Sequence, residues 1–201
     1  MTKYVVQSGG LVRFPDKARK YYKEVFSSFK DSDKEIKMLW CFFASADYGE
    51  DNLLKKWLEL LGGFLPTDCS IHHTATSVEN FAQQVAEADV VYFHGGSTDV
   101  FLSRVNELDI ENQIADKVVC TNSAATLAFS SAGWDSDTRE VIKGLAILPI
   151  KTMVHFNSNY GADDPRGFLN WGAAKKELEE YGNISLPVHA LEEGEFIVVT
   201  Q

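Results

Sequence analysis

Four short, nearly continuous apolar runs recur along this chain, separated by stretches long enough to form helices with one apolar face. KYVVQSG (3–9), KMLWCFFAS (37–45), DVVYFHG (89–95) and KVVCTN (117–122) lack the alternation of a half-exposed strand and match strands buried on both faces. DKARKYYKEVFSSFK (16–30), EDNLLKKWLELLG (50–62) and SVENFAQQVAEAD (77–89) place apolar residues at i, i+3, i+4 and i+7. Strands and helices alternating in this way set parallel strands side by side under two helical layers. The chain is therefore predicted to be an α/β three-layer sandwich with a mostly parallel central sheet. Pro15-Asp16 suits the first helix, with φ preset and a carboxylate near the positive end, and Ser77, three residues before Asn80, reads as a cap. Further on, VIKGLAILPIKTMVHFN (141–157) reads as one or two strands, DPRGFLNWGAAKKELEEYG (164–182) as a helix closed by Gly182, and EFIVVTQ (195–201) as a final strand.

Composition narrows the function classes. With 201 residues and 45% hydrophobic content the chain can bury one full core, and no repeat, linker or low-complexity tract divides it, so residues 1–201 are expected to form a single domain. A formal net charge of −10, with no sustained Lys/Arg cluster, makes nucleic acid and anionic membrane poor partners. No segment approaches the ~18 apolar residues that a membrane span needs, and the N-terminus lacks a cleavage-site pattern. Cys41, Cys69 and Cys120 lie in or beside apolar runs, as reduced core thiols do, which favours a soluble, cytoplasmic protein.

In an open parallel sheet, ligands bind beyond the carboxyl ends of the strands, where an apolar run stops and a helix begins. Two such junctions carry suggestive residues. His94-Gly95-Gly96-Ser97-Thr98 follows the third run, and its glycines let backbone N–H groups approach an anion closely. At the second, Ser123 stands where VVCTN meets SAATLAFS, so its hydroxyl would sit on a sharp strand-to-helix turn above the sheet. The rival serine, Ser131, falls eight residues further on, more than two turns into the predicted helix, where SSAG reads as a helix end closed by Gly133. Position alone leaves Ser123 as either a helix N-cap or a nucleophile.

Three motifs, in order, resemble the dipeptidase E and cyanophycinase family of serine peptidases, whose fold is class I glutamine amidotransferase-like (flavodoxin-like). HGGST (94–98) stands where that family carries GGGNT, TNSAA (121–125) where it carries G-x-S-A-G, and GLAILPIKTMVHF (144–156) where it has GLGLLP, a short strand and HF. LEEGEFIVV (191–199) is similar to the family's LPEGNWIQV. Departures concentrate at the turn. Thr121 and Ala125 replace its flanking glycines, and a β-branched residue at 121 crowds it.

The resemblance implies a Ser-His-Asp hydrolase acting on a small peptide, with an N-terminal aspartate as the substrate feature. Ser123 would attack and His155 would serve as base and then acid, with His94 as the rival base. The orienting acid is expected between them. Asp137 is the choice over Asp135 and Glu140, each of which could equally be a solvated loop carboxylate. Ala124 and Gly95 or Gly96 would offer N–H groups to the oxyanion. Arg166 would read a substrate carboxylate, or else pair locally with Asp163 or Asp164. No cofactor and no metal is expected. His72 and His73 point to opposite faces of a strand, and HGGST lacks the downstream lysine of a phosphate-binding loop. Two other readings use the same residues: a divergent relative whose pocket only binds a small ligand, and an amidotransferase-like partner domain, against which the serine at the turn speaks.

Overall fold

The computed structural model describes residues 1–29, 35–46 and 50–201. Its main sheet contains all four apolar runs as strands: β1 (Lys3–Gln7), β2 (Ile36–Cys41), β4 (Val90–Phe93) and β5 (Val118–Asn122). Two edge strands complete it, β3 (Ile71–Thr76) and β10 (Phe196–Thr200), in the order β10-β1-β5-β4-β2-β3. Every neighbouring pair is parallel except β10 with β1. The sequence IHHTAT of β3 is mostly polar because that strand lies at an edge and is only partly covered.

The two faces of this sheet bury separate cores. On one, α1 (Pro15–Val25) and α2 (Glu50–Leu61) cover Val5, Trp40, Tyr92 and Cys120. On the other, α3 (Phe81–Glu87), α4 (Thr98–Val105), α5 (Ile110–Gln113) and α6 (Ala124–Phe129) cover Val6, Cys41, Phe93 and Val119. This is the three-layer, mostly parallel α/β sandwich expected, of flavodoxin-like type. Helix α1 begins at Pro15 with Asp16 in its first turn, while Lys30, the end of its predicted span, lies outside the described residues. Ser77 Oγ accepts from the Asn80 N–H, closing the turn before α3.

The region after Phe129 departs from expectation. No helix reaches Ser131; instead β6 (Ser130–Asp135) starts at once and anchors a second sheet with β7 (Glu140–Lys143), β8 (Leu148–Met153) and β9 (Val188–Ala190), in the order β7-β6-β8-β9. The Ser131 hydroxyl donates to the Leu148 carbonyl, and Gly133 sits mid-strand opposite Ile142, so SSAG is sheet rather than a helix end. α7 (Trp171–Glu180) is shorter than predicted, because Asn170 caps it by accepting from the Ala173 N–H at 3.0 Å. It packs on the second sheet, where the wholly buried Lys151 donates at 2.9 Å to the Leu178 and Glu179 carbonyls at its end.

Candidate active site

Ser123 holds an uncommon backbone geometry, φ 50° and ψ −112°, between the last residue of β5 and the first of α6. Such a conformation costs about 1–3 kcal/mol in a residue with a Cβ and persists only where the surroundings impose it. Here they do. The Ser123 N–H donates to the Gln7 carbonyl of β1 at 3.1 Å, and its own carbonyl accepts from the Leu127 N–H. Thr121 is accommodated by a second threonine: the Thr126 hydroxyl donates to the Gln7 carbonyl at 2.7 Å, leaving its oxygen to accept from Thr121 Oγ1 at 2.9 Å. Ala125 is fully buried in the core beneath.

Ser123 Oγ lies 3.1 Å from Nε2 of His155, just beyond β8. The His155 N–H donates to Ser8 Oγ at 2.7 Å, and that hydroxyl donates to the Leu191 carbonyl, so three segments distant in sequence fix the ring's backbone. Gly9 permits the approach: at φ 119°, a Cβ there would stand 2.7 Å from His155 Cε1 and 3.4 Å from Ser123 Cβ.

The acid facing His155 Nδ1 is Glu193, with Oε1 at 3.3 Å, and not Asp137. A carboxylate accepts only, so Nδ1 carries the proton and Nε2 presents its lone pair to the Ser123 hydroxyl. Arg13 donates to both Glu193 oxygens at 3.2 and 3.3 Å, Lys17 donates to its carbonyl at 2.9 Å, and the Gly194 N–H donates to the Gly9 carbonyl. Asp137 instead accepts from the Tyr160 hydroxyl at 3.0 Å, and the Tyr160 ring stacks on His155 with centroids 4.2 Å apart. Asp135 accepts from Thr98 Oγ1 at 2.6 Å and from the N–H groups of Asp137 and Thr138, so it organises its own turn and ties it to the HGGST loop. Glu140 is exposed on β7.

Burial holds the His155 imidazole below its ordinary pKa, and the Glu193 carboxylate, with a smaller push from Asp137, partly opposes this. Burial together with the Asp137 charge pushes Tyr160 up to about 12. His94, the rival base, is held down to about 4 by burial, which its hydrogen bond to the Gly95 carbonyl only partly opposes, and its ring packs against Trp57 and Phe42. It makes no contact with Ser123 of the kind His155 makes.

Gly95 lies against the Ser123 turn, where a Cβ would come within 3.0 Å of Ser123 Cβ, and Gly96 at φ 153° would place one 2.2 Å from the Ala44 carbonyl. Among the described residues, no acceptor engages the N–H groups of Gly95, Gly96 or Ala124. Arg166, by contrast, is committed. Its guanidinium donates to Asp164 and to the carbonyls of Asp137 and Thr138, which is the local pairing, tying two loops together. Both histidines of β3 lie away from this site, and His73 Nδ1 accepts from Trp40 Nε1 at 3.1 Å. Among the described residues no group of three or more His, Cys, Asp or Glu could hold a metal, and no helix is long and apolar enough to cross a membrane.

No protein-family model and no curated protein matches the chain. Solved structures do. A peptidase from an acI-B1 Actinobacterium aligns over 99% of this chain and 83% of its own, with TM-score 0.67 and 16% identity. A candidate peptidase E from Listeria monocytogenes EGD-e aligns over 100% and 99%, with TM-score 0.57 and 14% identity. The fold is that of these peptidases.

Against the peptidase fold, the residues that sequence reading overlooked stand out as a group: Ser8, Gly9, Tyr160 and Glu193. A signal for the first two was present, since QSGG ends a buried run at the same carboxyl edge as HGGST and TNSAA. Glu193 lies within LEEGEFIVV, a stretch matched to the family without a role being drawn from it.

Proposed function

We propose that this chain is a serine peptidase of the peptidase E type, cleaving a short peptide through Ser123, His155 and Glu193. One observation carries the reading: a serine on a strained strand-to-helix turn, 3.1 Å from a histidine nitrogen whose partner nitrogen faces a carboxylate. The Ser123 oxygen bonds to the scissile carbonyl carbon as its proton passes to His155 Nε2. The tetrahedral oxyanion is met by N–H groups of Ala124 and of Gly95 or Gly96. As the C–N bond breaks, the imidazolium protonates the departing amine, leaving an acyl ester on Ser123. Water, deprotonated by the same histidine, releases the acid and restores the serine. Glu193 holds the tautomer that lets Nε2 accept, and stabilises the imidazolium.

The reading in which the pocket only binds a ligand rested on Thr121 and Ala125 spoiling the turn. Thr126 and the core absorb both substitutions, which weighs for the enzyme. A fluorophosphonate probe tests the proposal directly. Expected is one covalent adduct on Ser123, with Ser123→Ala unlabelled and its peptide hydrolysis reduced at least ~10³-fold. A folded wild type that takes up no label would overturn it.

A further inference from the structure

Beside the catalytic residues a cavity of about 220 Å³ runs inward from His155, Tyr160 and Glu193 to Gln7, Asn122 and Tyr22. Its floor is unusual for a sheet core. On the α1/α2 face, successive inward positions are apolar until the carboxyl edge, where Val5 gives way to Gln7 and Cys120 to Asn122 on neighbouring strands in register. Gln7 Nε2 donates to Tyr92 Oη at 2.9 Å and the Tyr22 hydroxyl sits against that same oxygen, yet Gln7 Oε1 and Asn122 Oδ1, both buried in the lining of this cavity, have no hydrogen-bond partner among the described residues. Leaving buried polar groups unpaired is costly, and solvent or a ligand entering through the mouth has to satisfy them. The unpaired set is two amide oxygens, both acceptors. The NH₂ group of a primary carboxamide is its complement, one neutral group with two N–H donors for two oxygens.

Resting on the hydrolase reading above, we infer that this cavity selects the substrate: it takes the side chain of an asparagine or glutamine whose carbonyl Ser123 attacks. The acyl side belongs to the inference and is tested by the position controls; the structure itself gives Asn122, in the cavity lining, directly before Ser123. The same groups disfavour an aspartate. A carboxylate has no donors to offer two oxygens and would enter past Glu193. The cation at the mouth, Arg13, is already engaged by that carboxylate, and Arg166 is held by Asp164. An aliphatic side chain would leave the oxygens unpaired, and a lysine would have to shed its hydration among neutral groups.

The test compares kcat/KM for matched dipeptides Gln-X, Asn-X, Asp-X, Lys-X and Leu-X, with X-Gln and X-Asn as position controls, alongside fluorophosphonate labelling of Ser123. Expected is a Gln-X or Asn-X substrate at least ~10²-fold better than Asp-X and Leu-X, since sites built to hydrogen-bond reject analogues that cannot. Asn122→Leu and Gln7→Met should each cut the ratio of amide to Leu-X activity by ~10-fold or more. If Gln7→Met does not fold, Asn122→Leu and the wild-type series decide. Failure of Ser123 to label would sink the hydrolase reading itself. Labelling accompanied by preference for Asp-X, Lys-X or Leu-X, by preference for the amide on the leaving side, or by no turnover of Gln-X and Asn-X, overturns the cavity's assignment alone.

Discussion

Two acidic turns reach the surroundings of His155, and they treat the ring differently. The turn between β6 and β7 carries Asp135 and Asp137, while the loop between β9 and β10 carries Glu193. Asp137 acts at one remove, through the hydroxyl of a tyrosine stacked on the imidazole face, whereas Glu193 meets the ring nitrogen itself. The difference teaches what an orienting acid has to do. A nearby charge alters where a histidine titrates, but only a carboxylate at Nδ1 decides which nitrogen holds the proton.

The sharpest way to break this comparison is to neutralise each acid in turn. Glu193→Gln should lower kcat by ~10² to ~10⁴ with KM little changed, because an amide at Nδ1 can present N–H₂ and drive the proton onto Nε2, where it blocks acceptance from Ser123. Asp137→Asn should cost less than ~10-fold, since the charge it removes acts on His155 only at a distance. Steady-state kinetics on one peptide substrate decides. The reverse order of effects would return the orienting role to the β6–β7 turn.

Titration sharpens the same contrast at smaller amplitude. In the proposed mechanism His155 must be unprotonated to accept from Ser123, so kcat/KM should fall as pH drops through its pKa. Burial places that limb below the ordinary ~6.5. Glu193 favours the charged ring, so Glu193→Gln should move the limb further down. Arg13 disfavours it, so Arg13→Gln should move the limb up. Residual activity followed from pH 4 to 8 checks both signs, and shifts in the same direction for the two variants would contradict the arrangement.

What the sequence made legible follows from range. Ser123 could be found because a serine on a strand-to-helix junction is a local event, visible in VVCTNSAATLAF. His155 was legible through the spacing of a motif. Glu193 was not, because its place at Nδ1 is made by contacts no local pattern carries: Ser8 joining His155 to Leu191, Gly194 bonded to Gly9, and Lys17 bonded to the Glu193 carbonyl. The same holds for the fold. Buried parallel strands declare themselves, but β6 follows α6 without an intervening loop, and SSAG at a helix end and SSAG in a strand look alike until a partner strand is known.

Tyr160 supplies the smallest test and the most specific one, because its hydroxyl makes the hydrogen bond by which Asp137 holds the ring stacked on His155. Tyr160→Phe keeps the stacked face and removes only the hydroxyl, so kcat/KM should change by no more than ~3-fold, within what one exposed hydrogen bond contributes. Combining it with Asp137→Asn should cost less than the sum of the two, since Asp137→Asn weakens the bond that Tyr160→Phe deletes, while the lost Asp137 charge acts on His155 separately. Tyr160→Ala differs in kind. It uncovers the imidazole face and lessens the burial that keeps His155 uncharged, so the acid limb should rise toward the ordinary histidine value, opposite to the shift in Glu193→Gln. A double-mutant cycle read together with the pH profiles separates the two roles. Full additivity of Tyr160→Phe and Asp137→Asn would show that the Tyr160–Asp137 bond carries none of the effect and that Asp137 reaches His155 by its charge alone, and the contrast between the two acidic turns would have to be redrawn.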